Sequence, residues 1–170
     1  QQQVVESESN FSVGTETGTL CAVSACSGFN LASNGQAVRI YDPGDAMRTG
    51  VTVAQSGAYV LNLRVRSGYT GNDRAYFNGG YSVKVDGQPV TCTGDPATVI
   101  HETVPGYSAV YWGVMSSPVL TLSAGAHTVE VAAVTSYGLV DYCEAVWQPY
   151  LETEAGYTVV TDTGSLATVG

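Results

Sequence analysis

Lysine is nearly missing from this chain: of 170 residues only Lys84 is one, and charged residues together make up 12%. Six basic residues face fifteen acidic ones, for a net charge of −9 and a pI near 4.3. That balance argues against nucleic-acid phosphates or anionic lipid as partners and leaves room for a bound cation. No apolar run approaches the ~20 residues of a membrane-spanning helix. No segment of useful length carries a 3.6-residue hydrophobic period, so helices are not expected. No GxSxG, HExxH or P-loop pattern occurs, no Asp/Glu pair stands out as a glycosidase pair, and the chain reads as non-enzymatic.

What is present is a moderately apolar chain, 44% hydrophobic, rich in Thr, Ser, Gly and Val. At this length it supports one domain burying roughly 70% of its unfolded surface. Ala58 to Arg66, AYVLNLRVR, alternates most clearly. Tyr59, Leu61, Leu63 and Val65 should face the core, and Asn62, Arg64 and Arg66 should face out. Further strands are expected at Val4–Ser9, Ala37–Tyr41, Ala46–Val53, Ala109–Met115 and Leu139–Trp147. Tyr81–Val85 with Gln88–Thr91 reads as one hairpin about Asp86-Gly87, and Pro118–Leu122 with His127–Val134 as a second. Residues 14–34, 68–80 and 93–108 read as loops. Short strands separated by turn signals indicate an all-β sandwich of two antiparallel sheets.

Four cysteines, Cys21, Cys26, Cys92 and Cys143, with no CxxC and no nearby histidine, predict two disulfides in an exported protein. Cys21 and Cys26 would staple one loop. Cys92 and Cys143 would close a loop of roughly 50 residues, contributing about 3–4 kcal/mol. Gln1 in place of Met reads as a mature exported terminus. Glu6 and Glu8 share one face of the first expected strand, an arrangement that suits either a solvated edge or a calcium ion.

The chain also repeats itself. VESESNFSVGTETGTL, residues 5–20, recurs without a gap as LETEAGYTVVTDTGSL, residues 151–166, at a constant offset of 146. Glu6, Glu8, Val13, Thr15, Thr17, Gly18 and Leu20 are identical to their counterparts. A match of this length is the signature of an array. The expected layout is a sandwich over 1–147, a connector over 148–150, and a second repeat or exchanged strand beginning at Leu151. Such a strand could join a copy of the same protein by strand addition.

Several phrases in order resemble carbohydrate-binding modules of families 6 and 35. They are Glu6-Ser7-Glu8, the turn Asp42-Pro43-Gly44-Asp45, Ser56-Gly57-Ala58-Tyr59 leading into Leu61-Asn62-Leu63-Arg64-Val65, Val119 to Val129 with Gly125 and His127, and Leu139-Val140-Asp141-Tyr142. The resemblance implies a jelly-roll sandwich stabilised by calcium held by Glu6, Glu8 and Asp141, and an extracellular module for a polysaccharide or other glycan. It also implies a sugar ring stacked on Tyr41 and Trp112, with Tyr137 in the loop near the end of the fold. Tyr69, Tyr76 and Phe77 are further candidate contacts. A different reading of the same sandwich is a structural repeat of an extracellular fibre, adhesin or surface layer.

Overall fold

The structure, a computed structural model, describes residues 3–18, 21–66, 79–104, 110–134 and 138–149. These residues form two packed antiparallel sheets, as the alternation predicts. The larger sheet contains β1 (Gln3–Glu6), β3 (Ser24–Ser27), β4 (Gln36–Ile40), β6 (Gly57–Arg66), β9 (Thr93–Gly94), β10 (Ile100–Glu102), β11 (Val110–Ser116), β12 (Leu120–Leu122) and β14 (Gly138–Trp147). Its spine runs β10-β11-β6-β14-β4-β3, with β1 on β14, β12 on β6 and β9 on β11. The smaller sheet contains β2 (Phe11–Thr15), β5 (Ala46–Val53), β7 (Tyr81–Val85), β8 (Gln88–Val90) and β13 (Gly125–Ala133), in the order β2-β5-β13-β7-β8.

The core lies between the sheets, where the alternating strands β5, β6 and β13 turn their buried side chains. Tyr59, Leu61, Leu63 and Val65 of β6 are buried as expected, facing Met47, Val51, Val129 and Val131 from the other sheet. The β7–β8 hairpin turns on Asp86 and Gly87, both with positive φ (49° and 78°), the backbone a two-residue primed turn demands. On the smaller sheet's outer face Glu130 lies opposite Arg48 and Lys84 and pairs with both, at 2.7 and 2.9 Å. The sole lysine thus closes a cross-strand ion triplet.

Four expectations are corrected. The first strand stops at Glu6, and Ser7–Ser9 form a 3-10 turn. The chain then crosses to the other sheet as β2, whose last residues, Gly14 and Thr15, fall in the stretch read as a loop over 14–34, and β3 lies within the same stretch. The pair read as a second hairpin is none: β12 pairs with β6 in one sheet, whereas β13 lies between β5 and β7 in the other. A turn signal between two strands does not say which sheet each joins. His127 therefore sits on a central strand, between β5 and β7, and is buried. All four cysteines carry free thiols, so neither expected bridge is present. Cys143 is buried in the main core and Cys92 packs against the same cluster as small apolar groups do. Burial, with Cys92 close by, pushes the Cys143 thiol up, and burial raises that of Cys92 to about 11.

Candidate functional site at one rim of the larger sheet

Strand register decides which candidate residues can meet. Ile40 pairs with Gly138, Leu139 with Arg66, and Arg66 with Trp112. Tyr41, which follows Ile40, therefore leaves the sheet at the same rim where the chain departs after Arg66 and returns before Gly138. Those two connections carry Tyr69, Tyr76 and Phe77, and Tyr137. These four residues lie outside the described residues, but the strands that launch them are adjacent. Tyr81 fastens this rim to the smaller sheet. Its buried hydroxyl donates to the Arg66 carbonyl and accepts from the Leu139 amide at 3.2 Å. Its ring lies so close to Gly138 that no Cβ fits there.

Trp112 is not a free platform. It is fully buried on the outer face of the larger sheet. Phe29 meets its ring edge-on at 6.1 Å, and the guanidinium groups of Arg64 and Arg66 lie 5.3 and 5.9 Å from its centroid. Its indole N–H donates to Glu102 Oε2 at 2.7 Å, and the same oxygen lies 3.4 Å from Arg66 Nη1. Residues 28–35 fold over this face, and Leu31 and Ala32 complete a small second cluster with Ala37 and Leu139. Arg66, expected to face solvent, is 1% exposed for the same reason. Tyr41 is half-buried and lies outside that cluster. Its amide donates to Asp45, whose carboxylate also accepts from Asp42 N–H and from the amide and hydroxyl of Thr17. Burial works to raise the Asp45 pKa, but these four bonds prevail and hold it below the usual carboxylate range.

The acidic residues meet beside this face. The pairing of β14 with β6 shifts between Val140 and Tyr142, a bulge that takes Asp141 out of the regular alternation. Ser33 then joins two of the expected ligands. Its hydroxyl is 2.5 Å from Glu6 Oε2 and 2.9 Å from Asp141 Oδ1, and its amide donates to both Asp141 oxygens at 3.2 and 3.1 Å. Arg64 Nη1 lies 2.6 Å from Asp141 Oδ2. Glu8, carried by the 3-10 turn, accepts from the Asn34 amide through Oε1, while its Oε2 is buried with no hydrogen-bond partner. Glu6, Glu8 and Asp141 are thus brought onto two consecutive loop residues without closing on one point. Among the described residues no three His, Cys, Asp or Glu side chains form a ready metal cluster. The donor set nonetheless fits a hard cation. One serine proton cannot satisfy two carboxylates, and a buried carboxylate oxygen without a donor is costly. Beside it, burial raises the pKa of Glu144, and burial raises that of Tyr142.

An aromatic residue that strand assignment absorbed stands out at the opposite rim. Trp147 closes β14 yet is 43% exposed, flanking a cavity of about 160 Å³ walled by Thr52, Gln55 and Tyr59. Its position directly before the connector was the available signal.

No family model matches the chain, and no curated protein matches it. Solved structures do. A family 35 carbohydrate-binding module from Clostridium thermocellum aligns at 19% identity with a TM-score of 0.54, covering 85% of this chain and 98% of that one. A family 6 module from the Cellvibrio mixtus lichenase 5A, solved with cellotriose, aligns at 19% identity with a TM-score of 0.50, covering 86% and 97%. The fold is that of a carbohydrate-binding module. The chain spans only 18% of a Paenibacillus cycloisomaltooligosaccharide glucanotransferase solved with cycloisomaltoheptaose, which it matches at 19% identity over 83% of its own length with a TM-score of 0.53. Like the module alignments, this similarity speaks to the fold.

Proposed function

We propose that this domain is a non-catalytic, extracellular glycan-binding module whose sugar site is the rim where Tyr41 leaves β4. The observation that carries this reading is the register that gathers Tyr41 and the departure points of the segments bearing Tyr69, Tyr76 and Tyr137. It is supported by a fold shared over nearly the full length of single carbohydrate-binding modules. Aromatic rings suit sugars because C–H groups pack on the ring face while the hydroxyls stay free to hydrogen-bond. Trp112 supports the rim from beneath through Arg66, Phe29 and Glu102, and its ring faces are not offered to the ligand. The buried carboxylates nearby are engaged in holding loops and strands: Glu102 on Trp112, Asp141 on Ser33 and Arg64, Asp45 on Thr17 and Tyr41. Structural calcium at Glu6, Glu8 and Asp141 belongs to the same reading.

Affinity electrophoresis against plant, algal and microbial polysaccharides, with calcium present, tests the assignment. We expect retardation on at least one polymer, lost in Tyr41→Ala or Tyr69→Ala and kept in Trp112→Phe. Free migration of the parent protein through every polymer would remove the glycan-binding reading.

A further inference from the structure

We propose that residues 151–166 are the opening segment of a second sandwich of this fold, following directly on the first in a tandem arrangement. The structure shows what the first copy of that segment does. Residues 3–15 form an edge strand on both sheets, pairing with β14 as β1 and with β5 as β2. Four of the seven identities, Glu6, Glu8, Thr17 and Gly18, fall on positions with specific contacts. Glu6 and Glu8 bind Ser33 and Asn34, and their counterparts are Glu152 and Glu154. Thr17 donates its amide to Asp45 at 2.7 Å and its hydroxyl to the Pro43 carbonyl at 2.9 Å, and position 163 is again threonine. Gly18 has φ +72°, and a Cβ there would lie 2.5 Å from the Asp42 carboxyl carbon; position 164 is again glycine. Buried Val5 and Ser7 become Leu151 and Thr153, while exposed Ser9 and Asn10 change freely to Ala155 and Gly156.

The first sandwich offers the second copy no place. Its slot is filled by residues 3–15. To enter it in register, Pro149 would face Ala145, and Val146–Gln148 would have to become the turn. Val146 and Trp147 instead pair with Val60 and Tyr59, and the Gln148 amide donates to the Ala58 carbonyl at 2.9 Å. The half-exposed Trp147 indole stands at this exit as an open face for the unit that follows. One position must differ in that unit. A Cβ at Gly14 would approach the Ala46 carbonyl oxygen to 3.2 Å, and the counterpart is Val160, so the second sandwich needs more room opposite.

Two chimeras of the full chain test this by thermal melting. In one, residues 5–20 carry the sequence of 151–166; the other is the same but keeps Gly14. The Gly14-keeping chimera should melt cooperatively within about 5 °C of the parent, and the complete one measurably lower. Loss of cooperative melting in the Gly14-keeping chimera, or a fall beyond about 15 °C, would overturn the proposal. Equal melting of both chimeras would overturn its requirement that the second unit differ at the Ala46 position. Neither result depends on glycan binding, so failure here is distinguishable from failure of the glycan reading.

Discussion

At the scale of single residues, the buried His127 is a stability element, not a site. Its Nδ1 lies 2.6 Å from Asp86 Oδ2 and its Nε2 lies 2.8 Å from the Ser123 carbonyl, so both nitrogens act as donors when the ring is charged. The Asp86 bond above all, then the Ser123 bond, raises the His127 pKa; the His127 bond, then that from Thr128 N–H, lowers that of Asp86. The signs follow by linkage. A raised histidine contributes fully below its unfolded pKa near 6.5 and loses that contribution as pH climbs through the folded value. A depressed aspartate contributes above about 3.9 and loses it as pH falls through its folded value. The pair is therefore strongest between roughly pH 4 and 6.5. The parent's melting temperature should drop between pH 6 and pH 8.5 by more than that of His127→Gln. Parallel curves for parent and variant would refute the linkage. Asp86 is half-exposed, so the effect should be a few degrees at most, and weaker in high salt.

At the scale of elements, legibility followed period and length. The eight residues of β5 and the ten of β6 bury side chains in near-regular alternation, and a period of two over that span is a strong signal. β2, β3, β9 and β10 have two to five residues on sheet edges with little burial, so their sequences carry no comparable pattern. The misreading of Arg66 has another cause. An outward position on a strand is solvated only where nothing covers the sheet, and no local pattern announces that residues 28–35 fold back over Trp112. This covering makes a quantitative prediction. Trp112→Ala should cost about 3–5 kcal/mol, as for other buried aromatics. Trp112→Phe keeps most of the packing but leaves the buried Glu102 with one donor fewer, for about 1–3 kcal/mol. Urea denaturation measures both. A near-neutral Trp112→Ala would mean that the loop does not depend on the ring, contrary to its contacts with Phe29, Arg64 and Arg66.

For the molecule as a whole, the question is what holds residues 28–35 and the first segment onto β14. Sequence and resemblance together placed Glu6, Glu8 and Asp141 near one another, and the structure gathers them at Ser33 and Asn34. Neither the bulge that releases Asp141 nor the serine that joins it to Glu6 was visible in the sequence. Arg64 neutralises part of the charge on Asp141. It does not reach the unpartnered Glu8 oxygen, and the Ser33 hydroxyl has one proton for two carboxylates. A divalent cation taking oxygens from all three residues would resolve both deficits. It would bind only where the first segment, the loop and β14 are in place together, and so would stabilise the fold by linkage. With calcium in excess the melting temperature should exceed that in chelator by several degrees, the equivalent of ~1–2 kcal/mol. Glu8→Gln should abolish the difference while itself melting close to the chelated parent, because the amide removes the buried charge along with the ion. Identical melting in calcium and in chelator would instead show that Arg64, Ser33 and Asn34 suffice to neutralise the junction.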